Sequence, residues 1–279
     1  MPKASIFYFS GTGNTWWVAN ELAAALSQRR IEASAYSIEQ IAAGRAAELV
    51  AASDLVGFGY PIYGSDLPLP MQRFIVEIEV RPAKPAFVFC TQWLWSGDGA
   101  SLGAAMLRAR GFEVRWGEHF HMPSNVSVPV LPWPLHTDAP PAKAKYLRHS
   151  SFRVQRLAEH IAQGRLFYRG FNTLSTVAGL LQRAPYRRHL HKFRDALAPD
   201  PARCTRCTLC VRLCPTDNLL LEHDTIRTVG RCVLCLRCYS FCPEYAMLYC
   251  GRAHRHGPPF RGPSLGFDPF ALIGPHKRF

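Results

Sequence analysis

The chain has 279 residues, of which 48% are hydrophobic and 19% charged, and a formal net charge of +13. That length and apolar share suit a globular protein of two domains, one of ordinary size and one small. There is no apolar run of the ~20 residues a membrane-spanning helix needs, and Met1–Phe9 has neither the charged region nor the cleavage site of a secretory leader, so a cytoplasmic location is expected.

Residues 3–9 form a short apolar run that reads as a strand. It ends in Ser10-Gly11-Thr12-Gly13-Asn14-Thr15, and a helical pattern follows through Trp16, Val18, Leu22, Ala25 and Leu26. A strand, a tight glycine- and hydroxyl-rich loop and then a helix is a phosphate-binding arrangement. Glycine lets the backbone approach the ligand, and the helix start presents free N–H groups at its positive end. A dinucleotide fingerprint needs a third glycine where Trp16 stands, and a Walker loop needs a lysine that is absent. What remains resembles the flavodoxin phosphate loop, Ser/Thr-x-Thr-Gly-x-Thr, matched by Ser10, Thr12, Gly13 and Thr15. That resemblance implies FMN; an ordinary glycine-rich turn is the alternative.

Further strands are expected at 32–38, 54–60, 85–90 and 112–120, with a helix over 100–110. Alternation of this kind predicts an α/β, doubly wound parallel sheet of five strands. Ligands of such sheets bind outside the carboxyl ends of the strands, where the loops after strands one, three and four converge. Tyr63 and Trp93 are the candidate stacking surfaces there. Gly64, Thr91, Gln92, Gly97 and Gly99 are the candidate contacts to the polar edge of a ring. Tyr60 and Trp16 read as core packing, and Cys90 as a small core hydrophobe.

Residues 123–142 hold six prolines around Trp133, which argues against a helix and for a stiff excursion, either a lid or a long loop. A helix over 142–163 would close the first domain, residues 1–165. The connector, 166–199, has apolar positions three and four apart, predicting an amphipathic helix broken near Pro185 and packed on one of the domains. Its neighbourhood is basic: residues 166–203 carry 7 Lys/Arg against 2 Asp/Glu, and 251–279 carry 5 against 1. Such charge would steer an acidic partner, and would equally attract nucleic acid or an anionic membrane surface. No recognised nucleic-acid module accompanies it, so nucleic acid is the lesser reading.

The strongest pattern lies in residues 200–250. Cys204, Cys207, Cys210 and Cys214, followed by Pro215, are repeated 28 positions later as Cys232, Cys235, Cys238 and Cys242, followed by Pro243. Four thiolates suit a cubane iron–sulfur cluster, and in this spacing three ligands wrap one cluster while the fourth reaches the other. Cys204, Cys207, Cys210 and Cys242 would then hold one [4Fe–4S] cluster, and Cys232, Cys235, Cys238 and Cys214 the second. Zinc sites are built from separated Cys-x-x-Cys pairs, and disulfides suit secreted chains, so both fit less well. The domain has too few apolar residues to fold without its metal. Cys250 reads as structural, and residues 251–279 as a tail lying over the surface or disordered.

As a whole the sequence resembles the flavodoxin–ferredoxin fusion proteins, over residues 1–165 and 200–250. The resemblance implies FMN exchanging electrons with two clusters, in an oxidoreductase or in a carrier with no substrate of its own. Acidic ferredoxins, flavodoxins or reductases would be the partners, and a small-molecule substrate is a further expectation. A redox-sensing or scaffold protein without flavin is the remaining alternative. The chain departs from that family at Thr208 and Leu236, where a glycine often follows the second cysteine of each set.

Overall fold

The computed structural model describes residues 1–78, 84–129, 135–137, 139–193, 195–255 and 258–274. The first part alternates strand and helix: β1 (Lys3–Tyr8), α1 (Asn14–Ser27), β2 (Glu32–Ser37), α2 (Ala43–Ala52), β3 (Leu55–Pro61), α3 (Leu69–Glu77), β4 (Lys84–Gln92), α4 (Gly99–Ala109), β5 (Phe112–His121) and α5 (Pro140–Ala162). A two-residue strand, β6 (Phe167–Tyr168), follows and pairs with Trp116 and Gly117. All pairs are parallel, in the order β2-β1-β3-β4-β5-β6. The order 2-1-3-4-5 is that of a flavodoxin-like doubly wound sheet, with its switch point between β1 and β3. The sheet thus has six strands rather than the expected five, because two residues are too few to leave a periodic signal.

Both faces of the sheet are covered. Phe7, Phe58 and Val88 pack under α2, α3 and α4, while Ile6, Phe87 and Phe89 pack under α1 and α5. Gly57 and Gly59 make the second arrangement work: a Cβ at either would collide with the ring of Phe87 or Phe89 on the next strand. The proline-rich segment also differs in part from its reading. Pro140 and Pro141 stand in the first turn of α5, where a missing N–H costs nothing. Pro132, Trp133 and Pro134, at the centre of the segment that reads as a lid or a long loop, lie outside the described residues.

The connector folds as α6 (Thr173–His189), capped by Asn172, whose side chain accepts from Ser175 N at 2.8 Å. The helix packs on the first part, as expected, but it is not broken and the face it buries is not the apolar one. The helix runs through Pro185, which stands on the exposed side together with Leu181, whose carbonyl it cannot satisfy. The face turned inward is Ser175, Gly179 and Arg183, so the leucines point away from the protein.

The last part holds β7 (Leu197–Pro199), α7 (Leu209–Leu213), a hairpin of β8 (Leu219–Glu222) and β9 (Thr225–Thr228), α8 (Arg237–Phe241), and β10 (Met247–Tyr249), which pairs antiparallel with β7. The tail is packed rather than draped. Phe260, Leu272 and Ile273 are buried, and Ser37 and Gln40 donate to the carbonyls of Leu272, Ala271 and Ile273 at 3.0 Å. Among the described residues no helix is long and apolar enough to cross a membrane.

Candidate functional site

The eight repeated cysteines line two separate cavities. Cys204, Cys207, Cys210 and Cys242 line one; Cys214, Cys232, Cys235 and Cys238 line the other. The chain achieves this with two short helices of the same length, α7 and α8, each carrying the third cysteine of its run and ending one residue before the fourth. They pack side by side, so each fourth cysteine emerges beside the other run. No disulfide joins any of the ten cysteines. Among the described residues no three ligating side chains close in on a point suited to a single metal ion.

These pockets disfavour a bare thiolate. Burial pushes Cys232 up to about 11 and Cys210 and Cys235 up to about 12, and it raises Cys238 well above the ordinary thiol range too. A ligating cation would have to offset that desolvation. Backbone donors already point at the sulfurs, in a pattern that repeats. Asn218 N donates to Cys214 Sγ at 3.2 Å and Ala246 N to Cys242 Sγ at 3.3 Å, each from four residues downstream. Cys250, read as structural, instead sits exposed in a turn with φ 48°.

The loop from Ser10 to Thr15 is buried at the end of β1. Ser10 Oγ accepts from Gly13 N and Trp16 N, both at 3.2 Å. Thr12 Oγ1 accepts from Asn125 Nδ2 at 2.9 Å, Thr15 Oγ1 meets Thr91 Oγ1 at 2.8 Å, and Asn14 Nδ2 donates to Pro123 O at 2.8 Å. Among the described residues the backbone N–H groups of Gly11, Thr12, Asn14 and Thr15 have no acceptor. The helix has no side-chain cap, and Asn14 Oδ1 is also buried without a partner. Buried donors of this kind are rarely left unpaired, so the loop fits an anion such as the phosphate of FMN.

Around this loop the chain closes on itself. Helix α6 bridges the other two loops of the crevice. Arg183 donates to Asp98 Oδ1 at 2.9 Å and to Ser65 O at 2.8 Å, and Arg187 donates to Asp66 Oδ2 at 2.6 Å. Gly97 lies against Gly179, and Gly64 against the ring of Tyr186. From the cysteine-rich part, Arg237 donates to Gly11 O at 3.0 Å and Ser10 O at 2.6 Å. A Cβ on Gly11 would stand 2.6 Å from Tyr63 Oη and 2.9 Å from Cys235 O, so only a glycine admits this approach. Phe267 and Pro263 of the tail cover Gly13, which has φ 106°.

The expected ring contacts separate. Tyr63 turns its hydroxyl toward Gly11, while its ring lines a cavity of about 1220 Å³ that also reaches Tyr186, Arg231 and Cys232. Trp93 lies elsewhere, donating from Nε1 to Tyr146 Oη of α5 at 3.2 Å. Gln92 accepts from Ser96 N at 3.0 Å, and Gly99 opens α4 and accepts from Tyr60 Oη at 2.9 Å. Sequence reasoning missed Arg237, Glu39, Asp98 and Arg183. For Arg237 a signal existed: aligning the two cysteine runs sets it against Leu209, a charge against a leucine.

No protein-family model matches the chain, and no curated protein matches it. Solved structures do resemble it in part. A flavodoxin from the domain Archaea is 19% identical over 57% of this chain and 98% of that chain, with a TM-score of 0.40. Oxidised flavodoxin 2 from Bacillus cereus is 21% identical over 58% and 99%, with a TM-score of 0.43. Rubredoxin:oxygen oxidoreductase from Desulfovibrio gigas is 18% identical over 58% of this chain but 35% of its own, with a TM-score of 0.44. The flavodoxin-like fold of the first part is carried by its own strand order.

Proposed function

We propose that this chain is an electron-transfer protein with two [4Fe–4S] clusters, one on Cys204, Cys207, Cys210 and Cys242 and one on Cys214, Cys232, Cys235 and Cys238, working with an FMN whose phosphate is held by residues 10–15. The observation that carries the reading is the division of eight cysteines into two fours around separate cavities, each taking its fourth member from the other run. When bound, such clusters supply one-electron chemistry and FMN one- or two-electron chemistry. The chain's part is to hold and shield them. Cys214 and Cys235 are buried, the N–H groups of Asn218 and Ala246 offset sulfur charge, and the free N–H groups after Ser10 receive the phosphate.

The bridge made by α6 favours a relay to a partner protein, because it covers Gly97 and packs across the loops that would flank a ring. The net charge of +13 makes that partner acidic. Reduction of a small molecule is the second reading, favoured by the cavity of about 1220 Å³ beside Tyr63 and Cys232. Purification without oxygen, followed by iron, sulfide and flavin assays, tests the proposal. About eight irons, eight sulfides and one FMN per chain are expected. Full iron with no flavin, even after added FMN, would leave a flavin-free redox protein, and absence of iron would overturn the whole reading.

A further inference from the structure

Helix α6 is amphipathic the wrong way round for a helix that folds onto its own protein. Its inward side is small and polar: Ser175, Gly179 and Arg183 are buried, with Arg183 paired to Asp98. Its apolar residues face out. Leu174 and Leu181 are each 72% exposed, and Val177, between them in the three-and-four spacing of one helix face, is 49% exposed. Leu180 borders the stripe, and Leu94 and Trp95 are exposed on the neighbouring loop, which Gly97 holds against Gly179 on the buried side of the helix. An ordinary surface helix buries such a face for stability. Here the fold gains nothing from it.

The surrounding charge has one sign. Residues 166–193 contain no aspartate or glutamate. Arg188 lies seven residues beyond Leu181 on the same face and is exposed, as are Lys192 after the helix and Arg169 before it. We infer that α6, with the Leu94–Trp95 loop, is a docking face for an anionic lipid bilayer surface. Leucines and a tryptophan beside basic side chains are the composition of helices that lie in a membrane interface. Leucine and valine are under-represented among the residues that carry protein–protein binding energy. A second copy is disfavoured, since two chains of +13 repel. The face goes beyond the redox reading and does not depend on it. If both hold, electrons are exchanged at a membrane surface.

The test is flotation of the purified, cluster-loaded full chain with vesicles of phosphatidylcholine alone and of phosphatidylcholine mixed with phosphatidylglycerol. Binding is expected to the anionic vesicles only and to fall with added salt. Replacing both Leu174→Glu and Leu181→Glu should weaken it by more than ~10-fold, from the lost apolar burial. Neutralising Arg188→Gln and Lys192→Gln should cost about 5-fold per charge. These side chains are exposed, so iron content and the visible spectrum of each variant should match the parent, and they are measured alongside. No binding to either vesicle overturns the inference, and is the result an acidic protein partner would give. Binding that the leucine variants leave unchanged overturns it too. So does a parent that is dimeric by light scattering and becomes monomeric in Leu181→Glu, which would assign the face to a second copy.

Discussion

Arg237 and Glu39 form an ion pair inside the protein, Nη1 to Oε2 at 2.8 Å, joining the helix between Cys235 and Cys242 to the loop after β2. Arg237 is fully buried, and its remaining donors go to Ser10 O, Gly11 O and Leu213 O. It also lies over the ring of Phe9, 5.5 Å from the centroid. One side chain therefore ties the phosphate-type loop to the cysteine-rich part.

Removing one member of such a pair is costlier than removing both, because it strands a charge in a low dielectric. Arg237→Met should destabilise the protein by about 3–5 kcal/mol, while Arg237→Met combined with Glu39→Leu recovers part of the loss. Urea midpoints followed by circular dichroism and by cluster absorbance would read this. A single variant within ~0.5 kcal/mol of the parent, the range of ordinary surface changes, would show that the contact does not join the two parts.

The crossing of the fourth cysteines gives a sharper expectation than their number. Cys214→Ala should remove the centre built on Cys232, Cys235 and Cys238 and spare the one built on its own sequence neighbours. Iron should fall from about eight to about four per chain. Cys242→Ala should do the converse. Both single variants giving identical electron-paramagnetic signals after reduction would contradict the pairing.

Tyr63 is expected to tune the second centre. Its hydroxyl is buried and without a partner among the described residues, beside Gly11, whose other close neighbour is the Cys235 carbonyl. Burial, and then the charge of Cys235, push the phenol well above its ordinary range, so it stays a donor at any working pH. A hydrogen bond toward cluster sulfur stabilises the reduced, more negative state. Tyr63→Phe should lower the potential of that centre by about 40 mV, the one-electron equivalent of a hydrogen bond of ~1 kcal/mol. The centre on Cys204, Cys207, Cys210 and Cys242 should not move. A potentiometric titration monitored by paramagnetic resonance separates the two.

What the sequence revealed follows from the range of the interactions involved. Strands β1, β3 and β4 are legible because buried parallel strands are continuous apolar runs, β2 and β5 through their partial alternation, and the cysteine repeat because ligand spacing is local. The left-handed turns at Thr208 and Leu236, with φ of 60° and 62°, correspond to the missing glycines noted there. The failures are all tertiary. Periodicity announced helix α6 but not which side it buries, since an arginine with a buried aspartate partner can face inward and leucines can face out. Nothing local tells that Phe267 will cover Gly13 or that Tyr63 will leave the place expected for a stacking ring.

His119, near the end of β5 and 2% exposed, gives a pH dependence of stability. Its Nε2 accepts from Ala100 N at 3.3 Å, so the ring proton sits on Nδ1, which faces Gln92 Oε1 at 3.2 Å. Protonating Nε2 would set one N–H against another. Burial, and then the charges of Arg153, Arg169 and His121, lower its pKa to about 3. The unfolded chain, with an ordinary value near ~6.5, therefore binds the proton first as pH falls. Stability from this group is complete above the unfolded value and is lost as pH drops from there toward the folded one, at about 1.4 kcal/mol per pH unit. In His119→Gln that loss is absent, so the stability gap between parent and variant should narrow by ~2 kcal/mol between pH 7 and pH 5. Urea midpoints at the two pH values, on samples of equal iron content, measure the gap. A gap that stays constant or widens would mean that His119 carries its proton in the folded protein.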